Sequence, residues 1–119
     1  MELKLSWMKC KGSPNAVWCG LLMVNLSDLE TEGVYIVWHG GEKPRVVYVG
    51  QGVVADRLTQ HRKDKRILAY KEQVLYVTWA AVGASYRDGV ERYLADYWNP
   101  LVGEAHPDAT PIAVNSPWS

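Results

Sequence analysis

The chain has 119 residues, enough for one domain with little room for a second. Almost half are apolar, with six Trp, seven Tyr and no Phe, and 22% are charged, an ordinary balance for a packed globular chain. A formal net charge of zero excludes a globally basic nucleic-acid binder.

Charge is nevertheless unevenly spread. Arg57, Arg62, Lys63, Lys65, Arg66 and Lys71 stand against Asp64 and Glu72 in one stretch, whereas the chain beyond residue 84 is acidic. A local positive patch attracts phosphates even on a neutral molecule. Cys10 and Cys19 can form at most one disulfide, which is not a disulfide framework, and no CxxC or zinc-ligand spacing is present. Met1-Glu2-Leu3-Lys4 lacks the features of a signal peptide, and the apolar stretch from Ala16 to Leu26 is too short and interrupted to span a bilayer. The expectation is a cytoplasmic chain with no membrane partner.

The elements divide the chain into an extension over residues 1–32, a core over 33–100 and a tail over 101–119, all in one domain. In the extension, Lys11-Gly12-Ser13-Pro14-Asn15 reads as a turn, Val17 to Leu26 as a strand or short buried helix, and Ser27 to Glu30 as a loop or single helical turn. Gly33 to His39 is rich in β-branched and aromatic residues and predicts a strand; Gly40 to Pro44 predicts a turn, and Arg45 to Gly50 a second strand. A turn centred between Gly41 and Glu42 puts Tyr35 directly opposite Tyr48, on one face of the hairpin.

Val53 to about Lys65 predicts a helix on which Arg57 and His61, four apart, share a face beside the Val54 and Leu58 stripe. Val74 to Ala80 predicts a third strand. Asp88 precedes a helix ending at Asn99-Pro100, with Val90, Tyr93, Leu94 and Tyr97 as its apolar stripe. That start puts Glu91 in the first turn, where the helix dipole favours a carboxylate. A turn at His106-Pro107-Asp108 and a short edge strand at Ile112 to Asn115 complete the chain. The order β-β-α-β-α predicts an α+β fold, a small, mostly antiparallel three-stranded sheet flanked by helices.

Gly33-Val34-Tyr35, Tyr48-Val49-Gly50, Arg57 four residues before His61, and Glu91 on the later helix together resemble a GIY-YIG nuclease domain. The likeness spans Gly33 to Pro100 and leaves the extension unexplained. It implies a metal-dependent endonuclease that hydrolyses phosphodiester bonds, in DNA rather than RNA, with one Mg2+ or Mn2+. Such chemistry needs charge neutralisation at the phosphate, a positioned water and help for the leaving oxygen.

Carried over by the resemblance, Glu91 is the sole protein ligand of the metal, Arg57 pairs with the scissile phosphate, and Tyr35 and Tyr48 orient or activate the water. The general base is either tyrosine or a lysine. His61 shuttles a proton or hydrogen-bonds a tyrosine hydroxyl. A phenol acting as base needs a depressed pKa, which Arg57 and the metal would favour. Gln51 holds a phosphate oxygen or water, and Gly50 and Gly52 let the backbone turn closely from strand into helix. His39 reads as a strand-end residue. Arg62, Lys63, Lys65 and Arg66 contact backbone phosphates. The family places an asparagine after the last helix; the equivalent position here is Gly103, with Asn99 nearest and Asn115 a later candidate.

Two other readings compete. One is a non-catalytic nucleic-acid-binding module with a degenerate site. The other is a protein-interaction domain exposing Trp7, Trp18, Trp98 or Trp118. The lack of an accessory DNA-binding region suggests weak or structure-directed specificity, with an accessory protein or a homodimer as possible partners.

Overall fold

β-Branched and aromatic side chains dominate residues 32–39 and 45–53, and both runs are extended in the computed structural model, which describes residues 2–10, 17–103 and 106–118. In chain order the strands are β1 (Cys19–Gly20), β2 (Glu32–His39), β3 (Arg45–Val53) and β4 (Leu75–Ala81). The helices are α1 (Val54–His61), α2 (Lys65–Leu68) and α3 (Ala84–Trp98), with a 3-10 turn at Lys71–Gln73. The fold is α+β, as expected, but the antiparallel sheet has four strands in the order β1-β4-β2-β3. The fourth comes from the extension: Cys19 and Gly20 pair with Val77 and Tyr76 of β4.

The extension is stitched to the core and to the tail. Met8 N–H donates to the Trp79 carbonyl (2.9 Å), Leu21 N–H to the Leu75 carbonyl (2.9 Å) and Leu3 N–H to the Ala113 carbonyl (2.9 Å). A disulfide joins Cys10 to Cys19, closing a separation of 9 residues. The edge strand expected at Ile112 to Asn115 is reduced to a parallel bridge between Val114 and Leu3. At His106–Asp108 the chain forms no hydrogen-bonded turn, and it bends at Ala109 instead. The turn expected at Lys11–Asn15 lies outside the described residues. Among the described residues no helix is long and apolar enough to cross a membrane.

The hairpin register differs from expectation by two residues. Tyr35 pairs with Gly50, and Tyr48 with Val37. The loop is centred on Glu42, and the ladder shifts between Val37 and Trp38, leaving Val47 as a bulged residue. A bulge turns neighbouring side chains to one side, and Val47 and Tyr48 both pack with the cluster that contains Tyr35. Because the error is an even number of residues, the two tyrosines still share a face.

Two apolar layers sandwich the sheet. One face carries Tyr35, Val37, Val77 and Trp79 under Val54, Leu58 and Ile67 of α1 and α2; the other carries Val34, Ile36, Trp38 and Val49 under Val90 and Leu94 of α3. The helix expected from Val53 to Lys65 is interrupted. Asp64 accepts a hydrogen bond from Arg66 N–H (2.9 Å) and caps a new helix, an arrangement aspartate prefers over a helix interior. α3 starts four residues before Asp88, so Glu91 lies mid-helix and the dipole argument for it lapses.

Candidate active site

The middle of β2 buries Tyr35 completely, with its ring laid across β3. Gly50 makes this possible. A Cβ there would lie 2.3 Å from the Tyr35 hydroxyl oxygen and 2.5 Å from Cζ. The expected use of Gly50 as a turning residue is therefore replaced by one of space, whereas Gly52, with φ +125°, does carry the unusual backbone.

Tyr48 stacks on Tyr35 with ring centroids 6.1 Å apart and planes 9° from parallel. On α1, His61 reaches both phenols. Its Nε2 lies 2.6 Å from the Tyr35 hydroxyl oxygen in a buried hydrogen bond, whose direction is set by the imidazole tautomer. Its ring is 4.3 Å from that of Tyr48. Tyr48 is only half-buried, so it is the aromatic of the three that meets solvent.

Burial pushes the Tyr35 phenol well above its ordinary range; Tyr48 adds to this, and Arg57 pulls the other way without reversing it. This is opposite to the depression expected for a basic tyrosine: Arg57 offsets only part of the cost of burying a phenolate. Burial, with Arg57 and Arg66 nearby, lowers His61 to about 4. Both groups are therefore neutral near pH 7.

Arg57 sits three residues into α1, half-buried, close enough to the Tyr35 hydroxyl for each to shift the other's proton affinity. Its Nε is shielded from solvent and has no hydrogen-bond partner among the described residues. A buried unsatisfied cationic donor is costly and calls for an acceptor. Glu91 on α3 is 7% exposed, and its charge acts on both Tyr35 and Arg57. The carboxylate Oε2 accepts a hydrogen bond from His106 Nδ1 at 2.9 Å. The sequence marks His106 only as part of a turn; 15 residues separate it from Glu91, and no local pattern ties the two.

For a divalent cation, Glu91 supplies a hard carboxylate oxygen, and His106 fixes its orientation as an outer-shell partner does at many metal sites. No group of three potential protein ligands occurs among the described residues. A donor set of one carboxylate suits magnesium, which retains several waters and binds substrate phosphate directly.

The remaining expected site residues are more scattered. Gln51 Nε2 donates to Asp88 Oδ1 (2.7 Å), tying the end of β3 to α3. Arg62 is bonded within the fold: its Nε donates to the Leu21 carbonyl (2.7 Å) and its Nη2 to the Val24 carbonyl. Lys63 and Lys65 are exposed, and Arg66 pairs with Asp64 (3.1 Å). Asn99 is an exposed left-handed C-cap (φ 49°), with its carbonyl facing Arg45 at the start of β3. Asn115 spends its amide on Leu5, accepting from N–H (2.6 Å) and donating to the carbonyl (3.0 Å). Neither asparagine joins the cluster. Gly103 does border it, since a Cβ there would be 3.2 Å from Tyr48 Cε2. His39, buried at the end of β2, bonds the Gly40 carbonyl through Nδ1 (2.7 Å) and stacks on Tyr70.

No protein-family model, curated protein or solved structure matches the chain.

Proposed function

We propose that the chain is a metal-dependent endonuclease that hydrolyses phosphodiester bonds, with DNA as substrate. The observation that carries this reading is the convergence of Tyr35, Tyr48, Arg57, His61 and Glu91, drawn from β2, β3, α1 and α3, on one electrostatically coupled site. A guanidinium, a carboxylate and two phenols in one place suit phosphoryl chemistry, in which positioning and charge stabilisation do most of the work.

In this reading Arg57 receives the scissile phosphate on its guanidinium, which stabilises the developing charge. Tyr48, open to solvent, orients the attacking water. Tyr35 and His61 are positioning residues: neutral and bonded to each other, they hold the Tyr48 ring from two sides. A Mg2+ or Mn2+ ion bound through Glu91 would supply Lewis-acid neutralisation of the phosphate. Lys63 and Lys65 extend the contact along the nucleic-acid backbone.

The Cys10–Cys19 disulfide favours an oxidising setting, since cytosolic thiols are kept reduced. An accessory protein or a homodimer would add specificity for particular DNA structures.

The direct test incubates purified protein with supercoiled plasmid and Mg2+, beside Glu91→Ala and a chelator control. Nicking or linearisation abolished in both controls is the expected result. An inactive wild type on plasmid and on branched, flapped and single-stranded DNA would overturn the catalytic reading.

A further inference from the structure

Four tryptophans far apart in sequence gather on the sheet face opposite Tyr35 and line a cavity of about 460 Å³: Trp18, Trp38, Trp98 and Trp118, with Pro44 and Arg45 at its side. Their rings meet edge to face. Trp18 and Trp38 are 5.3 Å apart at 87°, Trp38 and Trp118 4.9 Å apart at 80°, and Trp98 and Trp118 5.0 Å apart at 88°. The four rings border a space in the range of small-ligand sites. Trp38 is 7% exposed, while Trp18, Trp98 and Trp118 are only half-buried.

The charge of the lining restricts what fits. Arg45 is exposed at the cavity, Lys9 Nζ lies 4.6 Å from the centre of the Trp18 ring, and no carboxylate lines the cavity among the described residues. Aromatic boxes also take quaternary ammonium groups, but Arg45 would repel such a cation. The combination of indole rings with an exposed guanidinium, held only by a long bond from Nη2 to the Asn99 carbonyl (3.5 Å), suits a flat aromatic ligand carrying an anion. We infer that this cavity is a nucleotide site, with the base against the tryptophan faces and the phosphate on Arg45. Base stacking on aromatic side chains tolerates any sequence, and arginine is well matched to phosphate.

The site goes beyond the nuclease reading, and its binding does not depend on it. Its placement deepens that reading in one respect. Arg45 and Tyr48 lie on the same strand, β3, three residues apart in sequence, or about 10 Å at strand spacing. A single strand anchored by one base in the cavity would cross the β3 edge to reach the other face.

The test is a titration of the full chain with deoxyadenosine monophosphate, followed by tryptophan fluorescence in the presence of a chelator so that cleavage plays no part. Saturable quenching is expected. Arg45→Ala should weaken binding about tenfold, as should removal of the phosphate by using deoxyadenosine on the wild type. Trp118→Leu, a variant at the end of the described chain, should weaken both ligands alike. Three results would overturn the inference: no saturable quenching at millimolar nucleotide, equal affinity in Arg45→Ala and wild type, or preferential binding of tetramethylammonium. Since the assay reads binding at Trp118 and Arg45 without metal, a failed plasmid assay and a failed titration remain separate results.

Discussion

The Tyr35 hydroxyl and His61 Nε2 are 2.6 Å apart in a region closed to solvent, and each is held neutral by its surroundings. The pair joins the middle of β2 to the last residue of α1. It makes the helix position depend on the strand, and with it the position of Arg57.

Replacing Tyr35 with Phe removes one partner and leaves His61 Nε2 buried without another. The expected cost is about 1–3 kcal/mol, the desolvation penalty of a lone polar atom. Nicking should fall along with stability, because Tyr48 loses its fixed neighbour. Urea unfolding gives the first quantity and plasmid nicking the second; an unchanged urea midpoint would mean that the bond contributes nothing.

The depressed His61 value sets a pH window. A free imidazole titrates near 6.5, whereas His61 titrates near 4, so between these values the unfolded chain binds the proton more readily than the folded one. Stability contributed by neutral His61 is therefore complete above about pH 6.5 and is lost as pH falls toward 4. The loss should approach roughly 3 kcal/mol at pH 4. Urea midpoints measured across this range should drop in the wild type and drop less in His61→Gln. Parallel curves for the two proteins would place the acid sensitivity elsewhere.

Gly50→Ala should destabilise the fold by about 1–3 kcal/mol, since the new methyl overlaps the Tyr35 ring. The clash is with Cζ at 2.5 Å as well as with the hydroxyl oxygen, so adding Tyr35→Phe should not relieve it. Adding Tyr35→Ala should. A rescue by Phe equal to that by Ala would show that the ring itself is not the obstacle.

The basic stretch should separate into two behaviours. Arg62→Ala removes two bonds to the carbonyls of Leu21 and Val24 and should cost about 2–3 kcal/mol, with faster amide exchange in residues 21–24. Lys63→Ala and Lys65→Ala should change stability by no more than about 0.5 kcal/mol, yet each should lower the salt dependence of DNA binding by about one unit of slope. If Arg62→Ala altered the slope without altering stability, its structural role would be wrong.

What the sequence made legible were relationships carried by short-range rules. Arg57 and His61 share a face because they lie four apart on a helix, and the shared face of Tyr35 and Tyr48 survived a register error because strand parity did. The end of α3 at Asn99-Pro100 followed from proline's constraint on its neighbour. Relationships set by tertiary context were not legible. The apolar run from Val17 to Leu26 left strand and helix equally open, because the choice depends on pairing with β4, more than fifty residues away. Arg62 looks like any cation in a basic run, and only the carbonyls of Leu21 and Val24 brought against it give it a structural task. Burial likewise decided the Tyr35 proton, which a list of neighbouring charges alone gets backwards.

The segments that border the sheet have a consequence for assembly. Along β4, Met8 and Leu21 donate to the carbonyls of Trp79 and Leu75; along β3, Leu101 and Val102 donate to those of Val46 and Val47. These outward-facing acceptors are the groups on which an incoming strand would add, and at these points they are taken. At these points a second copy of the chain finds no acceptor on which to lengthen the sheet, and a misfolded neighbour finds less template on which to grow.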